Sequence, residues 1–163
     1  MAVKKWIWRE TAEVIGALGI IAGIVFLAFE LRQNNQLMAA ASRATAVSMT
    51  TEIWTSVIEE ADLAPIFIKD RSGETLTDEE ELRANALWTR GLYVTEYIFR
   101  DAPELLPQQA VLLTRAYSAY GSLRRTWSGA SSGSALDGKE MFSAEFVDYM
   151  EANVFTPLLG ASE

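Results

Sequence analysis

The longest uninterrupted apolar run in the chain, VIGALGIIAGIVFLAF, extends from Val14 to Phe29 without a charge. With Thr11, Ala12 and Leu31 the largely apolar stretch reaches roughly 20 residues, and Glu13 and Glu30 lie within it. In a helix rising 1.5 Å per residue, about 20 residues cross the ~30 Å of bilayer hydrocarbon, with the two glutamates at headgroup level. Trp6 and Trp8 precede the run, Phe26 and Phe29 close it, and Lys4, Lys5, Arg9 and Arg32 flank it. Aromatic and basic side chains of this kind anchor a span at its two interfaces. Two rival readings exist. A cleaved signal peptide needs small residues soon after its apolar centre, but FELRQNNQLM follows here and the nearest small run is Ala39 to Ala41. A fully buried core helix is also apolar all round. A membrane span is the expected reading.

Beyond the span the pattern becomes that of amphipathic helices. No Pro or Gly interrupts RQNNQLMAAASRATAVSMTTEIWTSVIEE, so the membrane helix is expected to continue to about Glu60. Its Ile53, Trp54, Val57 and Ile58 form a patch to be buried against the domain, and the Ala- and Ser-rich part from Ala39 to Ser48 suits close packing. Ala64 to Ile68 predicts a helical turn or two with Pro65 near its start, followed by a turn at Arg71-Ser72-Gly73. Thr77 then reads as an N-cap, with a capping box through Glu80 and an acidic first turn, Asp78 to Glu81, that favours the helix dipole. The same acid run resembles a metal site, but capping explains it.

That helix is expected to reach about Asp101 and to be central, because its apolar residues, Leu82 to Phe99, point in nearly every direction. Glu96 and Arg100 have the spacing of an i,i+4 ion pair, and a buried functional carboxylate at Glu96 is the alternative. Pro103 and Pro107 mark a break, and Pro107 opens a helix expected to run to about Ser128. Near its end, Arg124, Arg125 and Trp127 read either as an anion or headgroup site or as a basic last turn complementing the dipole. Ser128 to Ser134 is a Gly/Ser loop without the Lys-Ser/Thr pattern of a phosphate loop. Ser143 should cap a last helix whose face is Phe146, Val147, Met150 and Val154. The expected fold class is all-α: one N-terminal transmembrane helix, continuous with the first helix of a small bundle. Residues 1–32 form the flank and anchor, and residues 33–163 the extramembrane helical domain.

Composition narrows the chemistry. The 163 residues suffice for one domain with an appendage, and half of them are apolar. The net charge of -8 is spread along the chain, so no nucleic-acid partner is expected. With neither His nor Cys, thiolate and imidazole catalysis, Cys/His zinc sites, disulfides and the common haem ligands are excluded. No catalytic residue, metal ligand or cofactor is assigned, and a non-enzymatic role is expected.

The one candidate binding face lies in the span. Ala12, Gly16, Gly19 and Gly23 recur at i, i+4, i+7 and i+11, on one stripe of a helix, and Glu30 falls on the same stripe. Small residues let two helix backbones approach in lipid, where hydrophobicity itself drives no association. The expected partners are therefore the lipid bilayer and, through this face, a second copy or other membrane-protein subunits. Glu30 either meets a basic partner residue or simply faces water. Lys4, Lys5 and Arg9 outnumber Arg32 and Arg43, which by the positive-inside rule leans toward a cytoplasmic N-terminus.

The opening Glu13-Val14-Ile15-Gly16-Ala17-Leu18-Gly19, the exit Leu31-Arg32-Gln33-Asn34 and the stretch Phe142-Ser143-Ala144-Glu145-Phe146 resemble a loose, uncharacterised group of small bacterial single-pass membrane proteins with a helical domain. The resemblance implies bacterial origin, an inner-membrane location and this architecture, and it carries over no functional residue. Two functions are expected from the chain. One is a membrane-anchored interaction protein, either an accessory subunit or a homo-oligomeric scaffold. The alternative is a membrane-tethered sensor that binds an apolar small molecule between helices, for which a pocket lined by Trp54, Trp88 and Tyr97 would speak.

Overall fold

The computed structural model describes the backbone of residues 2–130 and 138–155 and the side chains of residues 13–130 and 138–155. The flanking Lys4, Lys5, Trp6, Trp8 and Arg9, the side chain of Ala12 and positions 131–134 of the Gly/Ser loop lie outside the described residues. All regular structure among the described residues is helical: α1 (Ala2–Glu59), α2 (Leu63–Arg71), α3 (Asp78–Asp101), α4 (Leu106–Ala119), α5 (Gly121–Ser128) and α6 (Ala144–Met150). Short 3-10 turns at Pro103–Leu105 and Lys139–Met141 join them, and α6 widens into a π-turn over Glu151–Phe155. The all-α class and the long apolar first helix are those expected. Contacts divide the chain into two compact units, Met1–Ala41 and Ser42–Glu163.

The first unit is helix throughout its described part. Its most apolar 18-residue stretch has a mean hydropathy of 2.5, and none of it is buried. Ile15, Ile20, Ile24 and Phe26 are each more than 60% exposed. Those side chains point all round the helix. The segment is thus not packed as a core helix within the described residues, and it is long and apolar enough to cross a membrane.

In the second unit, α3 is the central element and packs against α2, α4 and α5. Its start is set locally: Thr77 accepts the Glu80 N–H at 3.3 Å, and the Glu80 carboxylate accepts the Thr77 N–H at 2.7 Å, closing the capping box. Such caps contribute about 1 kcal/mol. Lys69, followed by the Thr77 backbone, holds the Glu80 carboxyl below its ordinary pKa. Leu92, Leu123, Phe146, Met150 and Val154 are almost wholly buried and form the main core around Trp127, which packs on Phe142, Phe146 and Phe155. A second cluster joins Ala46 of α1 to Val94, Ile98, Ala102 and Leu106. Ala46 is the buried member of the Ala-rich stretch and lets α1 lie close.

The helix expected from Pro107 to Ser128 is two helices. Tyr120 adopts an extended conformation (φ -117°, ψ 118°), and α5 starts at Gly121. The cause is tertiary: the Asp70 carboxylate, delivered by α2, accepts the Ser122 N–H at 3.2 Å and thereby caps the new helix. A Cβ at Gly121 would lie 2.9 Å from an Arg125 guanidinium nitrogen and 3.3 Å from Asp70 Oδ1, so a larger residue here would shift the Arg125 tip and crowd the Asp70 carboxylate. At the other end of α5, Gly129 closes the helix in the left-handed region (φ 74°).

Candidate functional site

Within the second unit, α1, α2, α3 and α4 line a cavity of about 470 Å³ that is open to solvent on one side. The helix α1 contributes Ile53, Trp54 and Val57; α3 contributes Leu87, Trp88 and Gly91; and α4 contributes Leu112, Leu113 and Ala116. Phe67 of α2 and Tyr120 complete an aromatic wall with Trp88: the Phe67 ring meets Trp88 edge-on at 5.4 Å and Tyr120 at 5.8 Å. Of the three residues expected to line such a pocket, Trp54 and Trp88 do so. Tyr97 does not. It borders a separate hollow with Met49, Arg90 and Tyr93, because it projects from another face of α3. The volume and the apolar, aromatic lining are those of small-molecule pockets, which span ~300–1,000 Å³.

The aromatic wall is held by a buried polar relay. Trp88 donates its indole N–H to Ser122 Oγ at 2.7 Å, and Ser122 Oγ donates to Asp70 Oδ2 at 2.6 Å. Asp70 and Ser122 are buried. Beside them Arg125 grips Glu81 in a two-pronged pair of 2.7 and 2.5 Å and lies 3.9 Å from Asp70. The bond to Glu81 raises the Arg125 pKa further, so its charge is permanent. Every buried side-chain polar atom among the described residues has a partner.

This relay corrects several sequence expectations. Arg124 and Arg125 do not form an open anion site: Arg125 is held by Glu81, and Arg124 donates to the carbonyls of Tyr117 and Ser118 at 2.5 and 3.0 Å. The dipole that Arg124 complements is therefore that of α4, not of its own helix. In the acid run only Glu80 caps; Glu81 is buried. Glu96 does not pair with Arg100, which turns to Asp101 at 2.9 Å. Glu96 instead accepts both the Ser143 N–H (2.8 Å) and its Oγ–H (2.7 Å), so it is Glu96 that holds the start of α6, and Ser143 makes no side-chain cap of its own.

Gly16, Gly19, Gly23 and Glu30 lie exposed on α1, and a Cβ added at any of the three glycines would meet nothing within 4 Å. The residues that sequence reasoning missed are Asp70, Glu81 and Ser122. A signal for two of them exists. Asp70 continues the buried stripe Leu63, Ile66 at helical spacing, and Glu81 stands three residues before buried Ala84 and seven before Trp88. A carboxylate in an apolar stripe calls for a buried partner.

Comparison of the chain with family models, with curated proteins and with solved structures returns no match.

Proposed function

We propose that this chain is a non-enzymatic, membrane-anchored helical protein whose extramembrane domain binds an apolar small molecule between its helices. The observation that carries the reading is the cavity of about 470 Å³ with its aromatic wall fixed by the Trp88–Ser122–Asp70 relay. Preorganised aromatic walls bind with little ordering cost. The wall residues Ile53, Trp54 and Val57 belong to α1, the helix that also carries the apolar stretch from Val14 to Phe29, which supports a role in reporting occupancy toward the membrane. The reading includes a bacterial inner-membrane location with the N-terminus in the cytoplasm.

The test is purification of the full chain from its own membrane in mild detergent, with native mass spectrometry of the intact protein. A stoichiometric small-molecule adduct that Gly91→Leu eliminates is the expected result. Recovery without any adduct would sink the ligand reading.

A second reading, an accessory subunit or self-assembling scaffold, is favoured by the open stripe of Gly16, Gly19 and Gly23 on an exposed helix. For that reading the same preparation would hold stoichiometric other subunits or a defined multimer. Gly19→Leu or Gly23→Leu would then release them while leaving the monomer folded.

A further inference from the structure

We infer that the cavity takes a single-chain amphiphile with an anionic head, a carboxylate or phosphate, which Arg71 and Arg115 receive. The inference rests on the ligand-binding reading above and adds the chemical class of the ligand.

Charge is the first observation. The chain carries 22 acidic and 14 basic residues, yet the only ionised side chains lining the cavity are Arg71 and Arg115. Elsewhere in this unit Arg43, Arg83, Arg90, Arg100 and Arg125 each hold a carboxylate, and Arg124 holds two carbonyls. Among the described residues, Arg71 and Arg115 make no ion pair and no side-chain hydrogen bond. Both arginines are solvent-exposed and stand at the edge of the apolar cavity, where an oxyanion attached to an apolar body could accept their N–H donors while its apolar part enters the cavity.

Space is the second observation. Gly91 sits in the interior of α3 with ordinary helical backbone, and a Cβ there would meet nothing within 4 Å. Neither strain nor crowding requires glycine at this position, and glycine weakens a helix interior relative to alanine. Gly91 lines the cavity, and so do Ala116 and Ala119, so these small residues keep volume open. At ~30 Å³ for each water-sized group, about 470 Å³ holds roughly a dozen to fifteen heavy atoms, the scale of one medium-length acyl chain rather than a two-chain lipid.

The experiment is calorimetric titration of the full chain in nanodiscs, referenced to empty nanodiscs, with dodecanoate, dodecyl phosphate and neutral methyl dodecanoate. One ligand per chain is expected, with at least one of the two anions binding tenfold or more tightly than the ester. In the Arg71→Gln, Arg115→Gln double variant that preference should vanish while ester binding persists. Gly91→Leu should abolish binding of all three; leucine favours the helix more than glycine does, and far-UV circular dichroism checks that the fold is kept. Equal binding of ester and anions, or an anion preference that survives the double arginine variant, overturns the anionic head and leaves the cavity reading intact. No saturable binding of any of the three overturns both.

Discussion

Asp70 and Ser122, fifty-two residues apart in sequence, are joined by three hydrogen bonds: the Asp70 carboxylate accepts the Ser122 N–H at both oxygens at 3.2 Å and the Ser122 hydroxyl at 2.6 Å. One side chain of α2 thus starts α5, and through Ser122 it fixes the indole of Trp88 in the cavity wall. Asp70→Ala would leave a buried N–H and hydroxyl without their charged acceptor. The expected loss is about 2–3 kcal/mol, measured by urea unfolding followed by Trp fluorescence. Asp70→Asn keeps one acceptor oxygen and should lose roughly half as much, about 1 kcal/mol. Equal stability of Asp70→Ala and the parent protein would show that the relay does not hold the fold.

Arg125 and Glu81 call for a double-mutant cycle. Glu81 is buried, whereas the Arg125 side chain is 41% exposed. Removing the arginine alone takes the two-pronged cationic partner from a buried carboxylate, while replacing both residues by apolar ones removes the buried charge as well. Arg125→Met should cost about 2–3 kcal/mol, at the low end for buried pairs because solvent reaches the guanidinium. The Glu81→Leu, Arg125→Met double variant should be less destabilised than Arg125→Met. A purely additive cycle would contradict this account.

Gly138 tests backbone packing. A Cβ at this position would lie 2.0 Å from the Thr126 carbonyl oxygen and 2.8 Å from that of Trp127, and both are backbone atoms with little room to yield. Gly138→Ala should therefore lower the thermal midpoint, by the equivalent of about 1–3 kcal/mol. An unchanged midpoint would mean that this segment does not pack against the end of α5.

Glu151 gives the stability a pH dependence. Its carboxyl pKa is lowered from 4.5, first by the hydrogen bond from Lys139 and then by that from the Trp127 indole at 3.0 Å. A carboxylate with a depressed folded-state pKa contributes stability that is fully present above its unfolded value and is lost as pH falls through the folded one. Urea midpoints should hold steady above about pH 5 and then fall with acidification. Glu151→Gln should have a lower midpoint at neutral pH and a shallower acid limb; identical slopes for the two proteins would refute the assignment.

Much of the architecture was legible because it rests on local physics. Sixteen uncharged residues from Val14 demand an apolar surrounding wherever the chain goes, and the Thr77-x-x-Glu80 box sets a helix start with atoms three residues apart. The long first helix, the start and end of α3 and the absence of a break before Glu59 all follow from such short-range signals. The site was only partly legible. Trp88 could be picked as a large aromatic facing the domain, but the patch expected to be buried on α1 is not: Trp54 is 58% and Ile58 81% exposed. Trp54 lines the cavity from its solvent side, and Tyr97, on the same helix as Trp88, ended in another hollow.

Pairings between distant residues were decided by the tertiary structure alone. Glu96 stands four residues from Arg100, yet it reaches Ser143, and Arg125, read as the last turn of a helix, binds Glu81 forty-four positions earlier. Local spacing offers an exposed i,i+4 pair only a few tenths of a kcal/mol, so the two hydrogen bonds that Glu96 accepts from Ser143, and the need of the buried Glu81 carboxylate for a charged donor, outweigh it. The sequence by itself therefore determined that this is an all-α protein with one helix apolar enough to enter a membrane, because those properties depend on composition and periodicity. Tertiary structure decided where the carboxylates go, where α5 begins and which side chains leave a cavity open. Those outcomes depend on which groups meet when helices pack, and no local period encodes that.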